Sequence, residues 1–207
     1  MKRHANAFSW SIAAAMSVVM TVTVAAQILS NDNLVKALQQ GGYVIVMRHA
    51  SSPREAPTQE TANADNVNHE RQLDEGGRSS AIAMGKALRQ LHIPVAEVFA
   101  SPTYRALETV RLAQLPAPRT VAELGDGGQS MTASTDAQST WLQKKITELP
   151  KGTNTVLVTH FPNMSRAFPQ WTSGLADGEA LVFGSDGKGG TTLIARVKIE
   201  EWPKLHP

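Results

Sequence analysis

Apolar residues recur along this chain in two spacings, which separate strands from helices. Tyr43-Val44-Ile45-Val46-Met47 and Thr155-Val156-Leu157-Val158-Thr159 are short, continuous and rich in β-branched residues. Such runs suit strands buried on both faces of a parallel sheet. Residues 95–100 read as another strand, 120–124 as a short extended piece, and 180–183 and 192–198 as the strands that close the sheet. Helical spacing appears between them. Leu34, Val35 and Leu38 give residues 31–40 one apolar face, with Asn31 or Asp32 as cap and Gly41-Gly42 as stop. Leu73-Asp74-Glu75-Gly76-Gly77-Arg78 leads into a helix with Ile82, Met84 and Leu88 facing inward, ending before Pro94. Ser101-Pro102 starts a helix with proline in its first turn, carrying Arg105, Leu107 and Val110 and fading by Gln114. Residues 141–149 and 164–171 read as helices; 50–71 and 125–139 are polar connections. The first of these is long for a compact domain, which marks it as functional or disordered. Strands alternating with helices predict an α/β fold with a mostly parallel sheet, one member of which runs antiparallel.

The N-terminal stretch belongs to a different class. Lys2, Arg3 and His4 precede an apolar segment from Phe8 to Ala26, and Val24-Ala25-Ala26 supplies the small residues of a signal-peptidase site. Residues 1–26 are therefore expected to be a signal peptide, or else an uncleaved anchor, with the domain proper at 27–207. Export puts the protein in the periplasm or outside the cell; an anchor would hold it on the inner membrane facing outward. Ser9, Ser11, Ser17, Thr21 and Thr23 weaken the anchor reading.

Taking that segment away changes the charge balance. Lys2 and Arg3 carry the formal surplus of +2, and the rest of the chain has 18 basic and 18 acidic residues. No basic footprint for nucleic acid remains. The chain has no cysteine, which excludes disulfides and thiolate metal sites.

Both strong strands end in a histidine, His49 directly after Arg48, and His160. Open α/β sheets build their sites at such carboxyl ends. A phosphate monoester needs cationic donors on its equatorial oxygens, an in-line nucleophile and an acid for the leaving oxygen. Imidazole with one free nitrogen is a competent nucleophile, and arginines fit phosphate bidentately. His49, Arg48, Arg105 and His160 form such a set, backbone N–H groups at the Ser101-Pro102 helix start add donors, and no metal or other cofactor is required.

Arg48-His49-Ala50 resembles the Arg-His-Gly/Ala signature of the histidine phosphatase superfamily, the phosphoglycerate-mutase-like proteins. Leu73-Asp-Glu-Gly-Gly-Arg-Ser-Ser-Ala81, Ser101-Pro-Thr-Tyr-Arg105-Ala-Leu-Glu-Thr109 and Thr159-His160-Phe-Pro-Asn163 are similar to its other motifs, in the same order. The resemblance implies a three-layer α/β/α fold with a mostly parallel mixed sheet. It also implies hydrolysis of phosphate monoesters through phosphorylated His49, with Arg48, Arg105 and His160 as the phosphate pocket. For the acid it points to Glu123 in the segment after the Arg105 helix, with Asp126 and Glu55 as further candidates. The aspartate that the acid-phosphatase branch carries after its second histidine is Phe161 here.

Arg54 and Asn163 are further candidates for substrate contact, and Arg71 ends the same polar loop as Arg54. The expected partner is a small phosphorylated molecule, an envelope phosphosugar among the candidates; membrane contact would come only through an uncleaved N-terminal segment. Two rival readings use the same residues. One is a non-catalytic phosphate- or phosphosugar-binding domain that lacks the acid. The other is a phosphomutase, against which stands the lack of a basic and aromatic insertion between Ala113 and Ser130.

Overall fold

The computed structural model describes residues 29, 31–126 and 134–206; the N-terminal apolar segment and the middle of the 125–139 connection lie outside them. In chain order the elements are α1 (Asn31–Gln40), β1 (Tyr43–Arg48), α2 (Glu75–Gln90), β2 (Val95–Ala100), α3 (Tyr104–Leu112), β3 (Arg119–Thr120), α4 (Asp136–Lys145), β4 (Asn154–Thr159), α5 (Phe161–Ala167), β5 (Ala180–Ser185) and β6 (Thr191–Val197). The sheet order is β3-β2-β4-β1-β5-β6. β1, β2, β3 and β4 pair in parallel, while β5 is antiparallel to both β1 and β6. β5 is thus the single reversed strand, as the pattern predicts.

The continuous apolar strands feed two cores because successive side chains point to opposite faces. Ile45, Met47, Val98, Val156 and Val158 join Leu34, Leu38, Met84 and Val110 from α1, α2 and α3 on one side. Val44, Val46, Phe99 and Leu157 join Leu142 and Met164 from α4 and α5 on the other. Helices therefore cover both faces, giving three layers. Val44, Ile45, Val46 and Met47 are each at most 2% exposed. Burial on that scale contributes up to about 1.5–3 kcal/mol per side chain.

Local chemistry sets the boundaries. Gly41 stops α1 in a left-handed conformation (φ +76°), where its N–H bonds Leu38 O at 3.2 Å. Asp74 caps α2, accepting from Gly77 N at 2.6 Å. On α2 the buried stripe is Gly77, Ala81, Met84, Gly85 and Leu88, and Ile82 falls beside it at 48% exposure, against the expectation. The stripe contains two glycines because α2 packs against bare backbone. A Cβ at Gly77 would lie 2.1 Å from Ser51 O, and one at Gly85 1.8 Å from Ala113 O.

Several elements differ in extent from their sequence readings. α3 begins at Tyr104 with Thr103 as its N-cap residue, so Pro102 precedes the helix instead of occupying its first turn. The 120–124 segment is a two-residue strand followed by a 3-10 turn at Ala122–Leu124. α4 starts five residues before Trp141, where Thr135 and Gln138 form a capping box. The expected 164–171 helix is α5 plus a 3-10 turn at Pro169–Trp171, with Pro169 ending the regular helix. Among the described residues no helix is long and apolar enough to cross a membrane.

Candidate active site

Strand register brings the two histidines together. β1 and β4 are parallel neighbours with Arg48 opposite Thr159, so the next residue of each strand is a histidine. His49 N donates to Thr159 O at 3.0 Å, and the two imidazole centroids lie 5.2 Å apart, edge to face. β2 ends beside β4, where Ser101 N bonds Val158 O at 2.9 Å, and α3 then carries Arg105 over the same edge. Thr109, one turn further along α3, ties the helix to the chain leaving β1: its Oγ1 accepts from Ala50 N at 3.1 Å and donates to Arg105 O at 2.8 Å.

The result is a buried cluster at the carboxyl edge. His49 is 3% exposed, Arg105 and His160 1% each, and Asp126 4%. His49 Nδ1 lies 2.7 Å from Ala50 O. A carbonyl can only accept, so Nδ1 carries the hydrogen and Nε2 presents its lone pair. Arg105 Nε meets that lone pair at 3.2 Å. Arg105 Nη2 donates to Asp126 Oδ2 and, at 3.2 Å, to His160 Nδ1, which itself lies 3.3 Å from Asp126 Oδ2. The other ring nitrogen of His160 is 2.8 Å from Ser101 Oγ.

Burial pushes the His49 imidazole down to about 3, and the charges of Arg105, Arg48 and Arg71 act in the same direction. The Ala50 carbonyl opposes this by favouring the protonated ring. His160 is held well below its ordinary value by burial, then by His49 and the same arginines. Both rings are therefore neutral at pH 7.

A cavity of about 450 Å³ opens above the cluster. Arg48, His49, Arg54, Arg71, Asp126 and His160 line it, with Phe161, Leu175 and Asp177 on a further wall. The long polar loop is thus ordered and delivers two of the arginines. Arg71 is 6% exposed and held by backbone carbonyls, with Nε on Pro53 O at 2.6 Å and Nη2 on Ser52 O at 3.1 Å. Glu108, buried on α3, pins the loop by accepting from Leu73 N at 2.9 Å and Asn63 Nδ2 at 3.0 Å.

Other candidates move. Glu123 sits half-buried in the 3-10 turn and does not line the cavity; Asp126, three residues on, does. The 3-10 turn ends at Leu124 and an extended Gly125 carries the chain on to Asp126, a change of direction that motif spacing does not resolve. Glu55 is exposed and lines a separate cavity with Ala56, Pro57 and Arg78. Asn163 is buried and bonds Gly125 O at 2.8 Å and Thr159 Oγ1 at 3.0 Å, so it positions the Asp126 segment and does not face substrate. The donors at the start of α3 are already committed, Thr103 N to Ser101 Oγ and Tyr104 N to Glu70 Oε2.

Asp177 was not expected from the pattern. It precedes β5, whose reversed direction puts its start at the carboxyl end of β1, with Met47 opposite Ala180. Asp177-Gly178-Glu179 before an apolar run was the available signal, legible only once β5 is known to be antiparallel. Among the described residues no group of three or more His, Asp or Glu side chains is placed to hold a metal ion.

Comparison of the fold with solved structures decides its type. The protein histidine phosphatase SixA in complex with tungstate superposes with a TM-score of 0.54 at 18% identity, over 77% of this chain and 98% of that one. This is the histidine phosphatase fold. A phosphoserine phosphatase variant from Entamoeba histolytica in complex with phosphoserine gives a TM-score of 0.52 at 12% identity, covering 76% and 98% of the two chains. The product of open reading frame Rv3214 of Mycobacterium tuberculosis gives 0.51 at 16% identity, covering 74% and 95%. No protein-family model matches the sequence, and no curated protein matches it. In the histidine phosphatase fold of this chain, the cluster of His49, Arg105 and His160 occupies the carboxyl edge of the sheet, around β1 and β4.

Proposed function

We propose that this protein is a phosphatase that hydrolyses phosphate monoesters through a phosphohistidine on His49. The observation that carries the reading is the tautomer of His49. The Ala50 carbonyl takes Nδ1–H, so above about pH 3 Nε2 is unprotonated and carries its lone pair toward Arg105 Nε at 3.2 Å, the donor that an arriving phosphoryl group draws onto its own oxygens. An imidazole fixed in that way is a ready nucleophile.

The chemistry follows in two displacements. Nε2 attacks phosphorus as the bond to the leaving oxygen breaks, and Arg48 and Arg105 bear the charge on the equatorial oxygens. Water then attacks phosphorus, the P–N bond breaks and inorganic phosphate leaves. Asp126, 3.3 Å from His160, takes the acid role first given to Glu123: ionised beside Arg105 in the empty site, it accepts the proton that a monoanionic monoester brings, passes it to the leaving oxygen and recovers one from the attacking water.

The substrate we assign is a small phosphorylated molecule, and a phosphosugar of the cell envelope fits an exported enzyme. Support for export is the positive head and apolar segment of residues 1–26, with cleavage leaving Gln27 first. In that reading the enzyme works in the periplasm or outside the cell.

The test is hydrolysis of p-nitrophenyl phosphate beside His49→Ala, with capture of an acid-labile phosphoryl label on the protein. Turnover and label should both vanish in the variant. Substantial turnover by His49→Ala would overturn the phosphohistidine route.

A further inference from the structure

Arg48 and Arg105 each meet a carboxylate, but in different ways. Arg105 Nη2 donates to Asp126 along an aligned hydrogen bond, between side chains 1% and 2% exposed. Arg48 Nη2 lies 2.5 Å from Asp177 Oδ1, between side chains 22% and 37% exposed, yet that oxygen accepts no aligned hydrogen bond. Arg48 Nε is buried and also lacks a hydrogen-bond partner among the described residues. The contact is therefore one of charge, and it leaves the guanidinium fork with a donor to spare. A phosphoryl group, which takes two parallel N–H donors, satisfies that fork better than this carboxylate does.

The backbone around Asp177 is fixed. Gly178 N donates to His49 O at 3.0 Å, and Arg48 N donates to Glu179 O at 3.1 Å. Glu179 is buried and accepts from Ala176 N at 2.9 Å and Arg196 Nε at 2.7 Å. The segment is thus held against the end of β1 directly after Asp177, and Ala176 before it is held by Glu179. What can leave Arg48 is the Asp177 side chain, which stands in the cavity wall with a path to water.

We propose that Asp177 is an internal counter-anion of the phosphate site. It holds Arg48 while the site is empty, yields it to an arriving phosphoryl group, and takes it back as inorganic phosphate departs. The exchange moves no proton and breaks no covalent bond; one anion replaces another on Arg48. A carboxylate tethered this closely competes at an effective concentration of millimolar or more. It weakens phosphate binding and speeds release of the product. The proposal rests on reading the cavity as a phosphoryl site.

The experiment is calorimetric titration of the full chain with inorganic phosphate, wild type against Asp177→Asn, with phosphate inhibition of p-nitrophenyl phosphate hydrolysis as the second readout. Asp177→Asn should bind phosphate about 1.5- to 5-fold more tightly, the range expected for removing a part-exposed ion-pair competitor, and its inhibition constant should fall in parallel. A residue that merely orients Arg48 gives the opposite sign. Weaker or unchanged phosphate binding by a folded Asp177→Asn overturns the proposal; if that variant does not fold, Asp177→Ser is read in the same way. Tighter binding in the variant with no turnover by wild type keeps the counter-anion and removes the phosphatase reading. Phosphate binding to neither protein overturns the counter-anion, and turnover by wild type in that case leaves the phosphatase reading standing.

Discussion

Acid should destabilise this protein through His49, by an amount that its burial sets. The folded imidazole is pushed down to about 3 from 6.5, chiefly by burial and then by Arg105, Arg48 and Arg71 around it. Between those two values the unfolded chain binds a proton that the folded chain refuses. Stability therefore rises with pH from about 3 to 6.5 and is level in this respect above. One pH unit inside that window is worth about 1.4 kcal/mol, so going from pH 7 to pH 4 removes on the order of 3 kcal/mol through His49 alone. His160 pulls in the same direction, since its imidazole is also held below its ordinary value. Exposed carboxyls such as Asp65 and Asp186, lowered by hydrogen bonds, also lose stability in acid, but they are common to any pair of proteins compared. His49→Asn tests the effect, because it removes the titrating ring and keeps an N–H at the Nδ1 position for the Ala50 carbonyl; His160, which His49 helps hold down, relaxes in the same sense. Urea unfolding at pH 7 and pH 4, in buffer free of phosphate, should show the variant losing about 3 kcal/mol less than wild type between the two. An equal loss in both proteins, within the ~10–15% error of extrapolation, would refute the burial reasoning and with it the fixed neutral tautomer.

Other substitutions separate the roles within the cavity. Arg105→Ala should lower kcat about 10²- to 10³-fold, the cost of one lost oxyanion donor, measured on p-nitrophenyl phosphate; a change in KM alone would move Arg105 out of the transition state. Asp126→Asn should slow alkyl phosphates far more than p-nitrophenyl phosphate, whose leaving group needs little protonation. Glu123→Gln, outside the cavity, should leave both within about twofold, in the range of surface substitutions. The reverse pattern would return the acid role to Glu123. Arg71→Ala should raise KM about tenfold or more, as for loss of a charged hydrogen bond; an unchanged KM and kcat would make its carbonyl contacts purely structural.

Most of the fold was legible because its strands are of the kind that periodicity reads well. β1 and β4 are apolar on both faces, and their terminal histidines mark where the sheet ends. The parts that were not legible depend on contacts between distant segments. Ile82 looks inward on composition, yet the face of α2 is chosen by the two glycines that let it approach Ser51 and Ala113. Glu123 and Asp126 are both acidic residues in the right segment, and the end of the 3-10 turn at Leu124, with Gly125 extended after it, decides which one reaches the cavity. Asn163 reads as a pocket residue from its neighbourhood in the sequence, whereas its amide nitrogen is spent on Gly125 O and Thr159 Oγ1. Arg71 could not be distinguished from a solvated loop charge until Pro53 and Ser52 carbonyls were seen to hold it.

The way the site is assembled separates its chemistry from its affinity. His49 and His160 come from adjacent strands in fixed register, so their separation is set by the β ladder and is hard to disturb. Arg105 is locked to each of them by one contact, to Asp126 by a third, and by Thr109 on its own helix. These are the groups to which the proposed mechanism gives the chemical steps. Arg54, Arg71 and Asp177 come from connections, with Arg48 shared between the two sets through its pair with Asp177. Connections tolerate change better than ladders do. Altered substrate preference on this scaffold should therefore arise in residues 50–72 and 172–179, while His49, Arg105 and His160 stay where the sheet puts them.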